Sequence, residues 1–285
     1  MLYNTGHVLR EISNRLLLYA IMVFCFIAST DSHAELVMQT HGAASFAPYI
    51  HGVNKNEAQY PGYRAEFLSN IDLYRHNRLV LTGIVENMTI ISRSDSSVFN
   101  LDKIRYTIAP GFRYEFEKWL LKGSVHHESL YSISRAEEKK GAYWQNSIRL
   151  GLGTKGSSYL FLPEEYRSYT NTVINTWDAQ INAGVFLHGS DSIWSARNHD
   201  YRYEFFSQTR YHFAAFNKWL YFITLQQHLW VEDDKSTDNK ISILLNCFRK
   251  GRNGIFGVYY RYYIYDSYIE NNENKLGALG VRIIF

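Results

Sequence analysis

The stretch from Lys275 to Phe285 alternates in chemical character. If it is extended, successive side chains point to opposite faces. One face then carries large apolar side chains, and the other carries small or charged ones: Leu279, Val281, Ile283 and Phe285 against Ala278, Gly280 and Arg282. This pattern predicts a strand that is apolar on one face. A lone strand leaves its backbone groups unpaired, so the stretch requires a sheet around it.

The composition favours strands along the whole chain. It contains 23 Tyr, 17 Phe and 6 Trp but only 4 Pro, and its mean hydropathy is slightly negative. Abundant rings with modest hydrophobicity suit strands that are apolar on one face, with aromatic side chains collected at membrane interfaces. The formal net charge of +3 is too small a basic excess to indicate a nucleic-acid partner.

Alternating segments recur and predict about twelve antiparallel strands joined by turns and polar loops. The first strand is predicted over Ser45 to Gly52, and a polar loop is predicted over Ser92 to Lys103. Pro110 removes a backbone donor from the strand that contains it, which predicts a bulge or kink there. The segments Phe116–Trp119 and Phe216–Trp219 share an aromatic-polar-Lys-aromatic pattern that suits short hairpin turns.

These features resemble those of bacterial outer-membrane β-barrels, which close an even number of antiparallel strands into a cylinder. The resemblance implies an all-β, transmembrane antiparallel β-barrel in the bacterial outer membrane, surrounded by phospholipid and lipopolysaccharide. It also implies that Phe285 lies at the periplasmic rim, where the barrel assembly machinery recognises it. The connection from Thr154 to Asn175 is then periplasmic, and its unusual length predicts a flap or a partial plug.

The first residues predict export. Leu16 to Ala28 form an apolar run of 13 residues after a basic stretch, which is too short for a spanning helix and typical of a secretory signal. Small residues at Ser32 and Ala34 suit cleavage before Glu35. Residues 1–34 are therefore predicted to be a cleaved signal peptide, and residues 35–285 a single barrel domain. The mature chain keeps one cysteine, Cys247, so it has no internal disulfide.

The parity of the strands sorts side chains between lipid and lumen. The predicted lipid-facing set includes Tyr201, Tyr203, Phe205, Tyr211, Phe213, Phe256, Val258, Tyr260 and Ile264. The predicted lumen contains Arg64, Glu66, Asp72, Arg105, Arg113, Glu115, Lys122, His126, Glu128, Arg149, Arg202, Glu204, Arg210 and Arg261. Mixed charges in a narrow barrel tend to pair and fill its interior. The leading prediction is a non-catalytic barrel that serves envelope structure or limited passage of small solutes.

One constellation could carry chemistry. His127 and Ser129 share the parity of Val125, so they are expected to point at lipid near the outer rim, at the outer end of their strand. The next strand carries Asn146 on its own lipid face, and the hairpin geometry places it across from His127. A serine, a histidine and an amide on adjacent strands supply a nucleophile, a base and an orienting group. Alternatively, these side chains simply lie among lipid head groups.

This arrangement resembles the outer-membrane phospholipase A family, whose twelve-stranded barrel carries a His-x-Ser pair and an Asn on its outer wall. The resemblance implies that Ser129 is the nucleophile, His127 the general base and Asn146 the residue that orients the imidazole. It also implies hydrolysis of acyl esters of phospholipid or lipid A, and it would bring Ca²⁺ as a cofactor, whereas the residues themselves predict no cofactor.

The chain departs from that family at two places. The family follows its serine with Asn-Gly, which helps to build the oxyanion and calcium site, whereas Leu130 and Tyr131 follow here. The family's asparagine directly follows a tryptophan, whereas Gln145 separates the two residues here.

The chain resembles an uncharacterised family of outer-membrane barrels about as well as it resembles the phospholipase A family. That family has an Asn-x-Asp loop, comparable to Asn100-Leu-Asp102, ahead of a strand ending His-x-Ser-Ser-His. Here Leu130 and Tyr131 replace the second Ser-His pair. The acidic loop Glu232–Asn239 could hold Ca²⁺, although solvated charge explains it as well. A non-catalytic barrel and a lipid acyl hydrolase therefore both stay open.

Overall fold

The computed structural model describes residues 35–52, 59–94, 97–132, 141–155, 176–189, 201–216, 219–232, 234–250, 254–267 and 273–285. The predicted signal peptide and nearly all of the 154–175 connection lie outside these residues. Among the described residues, no helix is long and apolar enough to cross a membrane.

Twelve strands make up the described chain. They are β1 (Glu35–His51), β2 (Gln59–His76), β3 (Leu79–Ser94), β4 (Ser97–Glu115), β5 (Trp119–Ser132), β6 (Gly141–Thr154), β7 (Thr176–Gly189), β8 (Tyr201–Phe216), β9 (Trp219–Glu232), β10 (Thr237–Lys250), β11 (Ile255–Asp266) and β12 (Gly277–Ile284). Consecutive strands pair antiparallel, and β1 pairs with β12, so the sheet closes on itself. The predicted all-β antiparallel barrel of about twelve strands is confirmed.

The alternation in β12 corresponds to the two faces of the barrel wall. Leu279, Val281 and Ile283 are about half exposed on the outer wall, whereas Ala278 and Arg282 are buried inside. The same division recurs around the cylinder, so the outer surface is apolar and the lumen is polar. We call the rim opposite Phe285 the outer end of the barrel.

The closing seam depends on a close approach between Gly42 and Phe285. The two residues exchange backbone hydrogen bonds of 2.8 and 2.9 Å. A Cβ atom on residue 42 would lie 2.3 Å from Cε2 of the Phe285 ring, so glycine is needed for the ring to cover the seam.

Two predicted boundaries are wrong. β1 begins at Glu35 rather than Ser45. The predicted polar loop over 92–103 is mostly strand, because β3 continues to Ser94 and β4 begins at Ser97. A strand that continues beyond the apolar band needs no apolar face, so hydrophobic alternation does not mark where it ends.

Pro110 interrupts the hydrogen-bond ladder without shifting it. Pairing with β3 is continuous through Pro110. Pairing with β5 stops after Ile108 and His127 and resumes at Gly111 and Ser124 in the same register. The gap lies where the ladder would need an N–H group from residue 110, which proline lacks. Of the predicted bulge or kink, the bulge is therefore absent.

Tyr201 and Arg202 lie on the faces opposite to those predicted. Tyr201 is 4% exposed and packs inside the barrel with Phe186 and Trp230, whereas Arg202 is exposed. The pairing of β8 with β9 shifts register between Tyr201 and Tyr203. An extra residue in one strand reverses the face of every residue beyond it, which sequence parity does not detect.

Carboxylates and cations pair across the lumen. Glu66 accepts hydrogen bonds from Arg64 at 2.7 Å, from Arg261 at 2.8 Å and from Arg282 at 3.3 Å. These residues come from β2, β11 and β12, so the network braces the wall on both sides of the closing strand.

Similar pairs occur elsewhere in the interior. Arg113 donates to both carboxylate oxygens of Asp72, at 3.0 and 2.8 Å. Arg149 and His228 both bond to Glu204. Between these groups a cavity of about 350 Å³ is left in the lumen. The predicted charge-filled interior is therefore present.

The connection between β11 and β12 contributes a carboxylate to the lumen. Glu273 is 1% exposed. It accepts two hydrogen bonds of 2.8 Å from Arg64 and one of 2.6 Å from Lys240, and it also bonds to the Tyr49 hydroxyl. Burial alone would raise the pKa of Glu273, but Arg64 and Lys240 outweigh it and hold the pKa well below its ordinary value. Glu273 thus fastens this connection into the barrel mouth.

The filled lumen predicts little conductance for large solutes. Paired charges and buried rings occupy the interior, and the remaining cavity is far smaller than a porin channel. In planar bilayers, the refolded protein is expected to give no stable openings of porin size. Regular openings of that size would contradict a filled lumen.

Candidate functional site

The β5 strand presents His127 and Ser129 on the outer wall. Val125 and Tyr131, which share their parity, are 46% and 43% exposed. The intervening residues Glu128 and Leu130 are buried inside the barrel. Because β5 begins at the Phe285 end, His127 and Ser129 lie toward the outer end.

The neighbouring strand brings Asn146 to the same place. The β5–β6 register pairs His127 directly with Asn146. His127 Nδ1 lies 2.9 Å from Asn146 Oδ1, and His127 Nε2 lies 3.1 Å from Ser129 Oγ. The imidazole therefore bridges the hydroxyl and the amide, and all three sequence-predicted residues form one hydrogen-bonded chain.

The distances define the chemistry that this chain can perform. With Asn146 Oδ1 as acceptor, the proton of the imidazole is held on Nδ1, and Nε2 is left to accept the proton of Ser129. A serine hydroxyl at its ordinary pKa needs such a base within about 2.6–3.2 Å, and His127 meets that condition. The three groups match the roles of nucleophile, base and orienting residue.

Apolar and aromatic side chains surround the three residues. Ile108, which pairs with His127, is exposed beside the site, and Val125 and Ile148 are exposed on its Phe285 side. Tyr106 and Tyr131 meet edge to face beside Ser129, with ring centroids 6.3 Å apart. The hydroxyl of Ser129 thus lies where an apolar surface meets an aromatic one, as at the boundary between acyl chains and head groups.

The inner face of β5 carries a second serine–histidine pair. His126 Nε2 lies 2.9 Å from Ser124 Oγ inside the lumen. His126 Nδ1 is buried and has no hydrogen-bond partner, so nothing there plays the part of Asn146. Glu128, predicted to join the lumen network, accepts a hydrogen bond from Gln145 at 3.1 Å. The inner pair therefore lacks the orienting group that the outer chain has.

The described residues beside Ser129 do not fit a calcium ion. Leu130 and Tyr131 follow it, and Leu130 is 3% exposed and faces the lumen. The residues paired with Ser129 on the adjoining strands, Tyr106 and Trp144, carry no carboxylate. Calcium prefers several oxygen ligands, most often carboxylates. We therefore assign no step of the chemistry to calcium.

The other sequence motifs have local roles. Asp102 accepts a hydrogen bond of 2.9 Å from the Ser92 hydroxyl, and the side chain of Asn100 lies outside the described part of the chain. In the acidic loop, Asp234 accepts a hydrogen bond of 2.7 Å from the backbone of Ser236. Among the described residues, no group of three or more His, Cys, Asp or Glu side chains could hold a metal ion.

A polar pair on the outer wall was not predicted from the sequence. Asn87 and Thr89 of β3 share the parity of Val85, which is 39% exposed, and alternate with Met88, which is fully buried. The available signal was two polar residues at successive lipid-facing positions.

Comparison with known proteins gives similarity of fold. No family of related sequences and no curated protein matches the chain. Among solved structures, outer membrane phospholipase A from Escherichia coli matches with 12% sequence identity and a TM-score of 0.50, covering 88% of this chain and 94% of that one. An outer membrane channel from Pseudomonas putida matches with 10% identity and a TM-score of 0.49, covering 90% of this chain and 98% of that one.

A third match is the outer membrane protein OmpT of Vibrio cholerae, with 7% identity and a TM-score of 0.39, covering 87% of this chain and 98% of that one. The matched proteins are all proteins of bacterial outer membranes. The chain folds as a closed barrel of twelve antiparallel β-strands, and this fold resembles that of outer membrane phospholipase A.

Proposed function

We propose that this barrel hydrolyses acyl esters of outer-leaflet lipid, with Ser129 as the nucleophile. The observation that carries the proposal is the hydrogen-bonded chain from Ser129 through His127 to Asn146 on the outer wall. Polar side chains that only contact lipid head groups do not need to be hydrogen-bonded in the order hydroxyl, imidazole, amide. Acyl transfer by a serine nucleophile requires that order.

The proposed reaction has two halves. Ser129 Oγ attacks the ester carbonyl carbon, and His127 Nε2 takes the hydroxyl proton. His127 then returns that proton to the departing alcohol oxygen, which leaves an acyl group on Ser129. In the second half, a water molecule gives a proton to His127 Nε2 and its oxygen attacks the acyl carbon. The bond from that carbon to Ser129 Oγ then breaks while His127 returns the proton to Oγ, which releases the fatty acid and restores the Ser129 hydroxyl. Asn146 holds the ring orientation throughout.

The position of the site indicates the source of the substrate. Ser129 is on the outer wall, so a lipid molecule reaches it by moving sideways within the membrane. Val125, Ile148 and Leu150 form an exposed apolar track on the Phe285 side of the site, where an acyl chain can lie while its ester reaches Ser129.

Fatty-acid release from mixed micelles tests the proposal. Refolded wild type is expected to release fatty acid from diacyl phospholipid, and the Ser129→Ala protein is expected to release almost none. Release should persist when calcium is chelated, because the described residues around Ser129 do not fit that ion. Both proteins must first show the heat-modifiable gel migration of a folded barrel. Equal release by the two folded proteins, or none by wild type, would contradict the proposal.

A further inference from the structure

The outer wall carries a second polar group at a fixed distance from Ser129. The β3–β4 register pairs Asn87 with Tyr106, and the β4–β5 register pairs Tyr106 with Ser129. The three residues therefore form one row across three strands. Two interstrand spacings separate Asn87 from Ser129, which amounts to about 10 Å.

Thr89 fixes the direction of the Asn87 side chain. The Thr89 hydroxyl donates a hydrogen bond of 3.2 Å to Asn87 Oδ1. One of the two lone pairs of the amide oxygen is thereby engaged, and this bond orients the Nδ2 group, which is a hydrogen-bond donor. Both side chains are half-buried on the outer wall. The pair thus presents a hydrogen-bond donor, Asn87 Nδ2, to whatever lies against the barrel.

An amide on a lipid-facing wall is costly unless it has a partner. Tyr106, which separates the pair from Ser129, is 45% exposed and has its ring against Tyr131. A molecule bound at Ser129 can therefore pass over the Tyr106 ring to reach Asn87. The partner that fits is a hydrogen-bond acceptor belonging to that same molecule.

We propose that Asn87 and Thr89 form a subsite for a second oxygen acceptor of the lipid whose ester reacts at Ser129. The inference rests on the proposed function and names its substrate class. In a diacyl phospholipid, about six bonds separate an ester carbonyl carbon from the phosphorus, or about 7 Å when extended. With a hydrogen bond of about 3 Å added, a phosphodiester oxygen reaches Asn87. A second ester carbonyl offers the same chemistry.

The subsite sets the specificity of the reaction. A lipid with a second acceptor is held at two points, whereas an ester with a single polar group is held at Ser129 alone. The site should therefore favour diacyl phospholipid over esters that have neither a phosphate nor a second ester.

The test compares Asn87→Leu with wild type on three esters. On a short-chain diacyl phospholipid, the variant is expected to raise KM about tenfold with little change in kcat, which is the effect of one lost hydrogen bond. On a p-nitrophenyl monoester, both parameters should be unchanged. Asn87→Gln, which keeps the donor, should recover part of the loss. Diacylglycerol distinguishes the two acceptors, because it has a second ester but no phosphate. If Asn87→Leu raises KM for diacylglycerol, the acceptor is the ester carbonyl, and if KM is unchanged, the acceptor is the phosphodiester.

A matched control is available on another part of the wall. Gln227 of β9 is an exposed outward-facing amide that is paired with Ser207, and Gln227→Leu should leave all three reactions unchanged. The subsite would be overturned if Asn87→Leu left KM for the phospholipid unchanged, or if it raised KM for the monoester by the same factor. Binding of the short-chain phospholipid to Ser129→Ala, with and without Asn87→Leu, gives a readout that needs no turnover. A tenfold weaker binding supports the subsite even if wild type proves inactive, and equal binding overturns it.

Discussion

Replacing Ser129 by alanine should lower the rate of lipid hydrolysis by a factor of about 10³ or more. His127→Ala should cause a loss of similar size, because the hydroxyl then has no base at 3.1 Å. The double variant should lose no more than either single one, since the two groups act as a unit. Initial rates of fatty-acid release from one micelle preparation give all three values.

The inner wall of the same strand supplies the control. Ser124 and His126 form a pair at 2.9 Å that faces the lumen. Ser124→Ala should therefore hydrolyse lipid as fast as wild type. If Ser124→Ala lowered the rate of hydrolysis as much as Ser129→Ala does, the reaction would not occur on the outer wall. Additive losses from Ser129→Ala and His127→Ala would mean that the two residues do not act together.

Glu273→Gln should lower the free energy of unfolding by about 3–5 kcal/mol. The substitution keeps the shape of the side chain but removes the charge that Arg64 and Lys240 share. Glu66 does not compensate, because it already bonds to Arg64, Arg261 and Arg282. Lys240 would keep Asp266 as a counter-charge at 3.0 Å, whereas Arg64 would share Glu66 with two other arginines and lack a full counter-charge of its own. Urea unfolding in a lipid bilayer, followed by tryptophan fluorescence, measures the change.

The pH dependence of the difference in free energy of unfolding between wild type and Glu273→Gln tests whether the loss of the carboxylate charge causes it. The pKa of Glu273 is depressed in the folded state, so its contribution is fully present above the ordinary value of 4.5 and is lost as the pH falls through the lower folded-state pKa. The difference in free energy of unfolding between wild type and Glu273→Gln should be constant at neutral pH and shrink progressively as the pH falls below the ordinary value of 4.5. The exposed Glu35→Gln should change the free energy of unfolding by less than about 0.5 kcal/mol. A Glu273→Gln loss no larger than that of Glu35→Gln would contradict the role assigned to the ion pairs.

The barrel and the placement of Ser129 follow from local alternation in the sequence. Strand period fixes which face each residue occupies, so parity with Val125 is enough to place His127 and Ser129 on the outer wall. A hairpin fixes the register of two consecutive strands, so Asn146 could be placed opposite His127 without other information.

Features that depend on an irregular strand or on distant segments were not predictable in this way. The register shift beside Tyr203 moves Tyr201 inside, and no residue type marks it. Glu273 lies in a polar connection that resembles solvated loop, yet its partners Arg64 and Lys240 lie on strands far away in the sequence. Asn87 acquires its relation to Ser129 only through β4, which links two hairpins.

Covalent labelling tests the central claim most directly. The refolded protein would be treated with a lipophilic fluorophosphonate, which reacts with activated serine hydroxyls, and the adduct would be located by mass spectrometry of peptides. We predict one adduct, on Ser129, and its near absence in His127→Ala. Unmodified Ser129 in folded wild type, or labelling of Ser129 at the same rate in His127→Ala, would contradict an activated nucleophile on the outer wall.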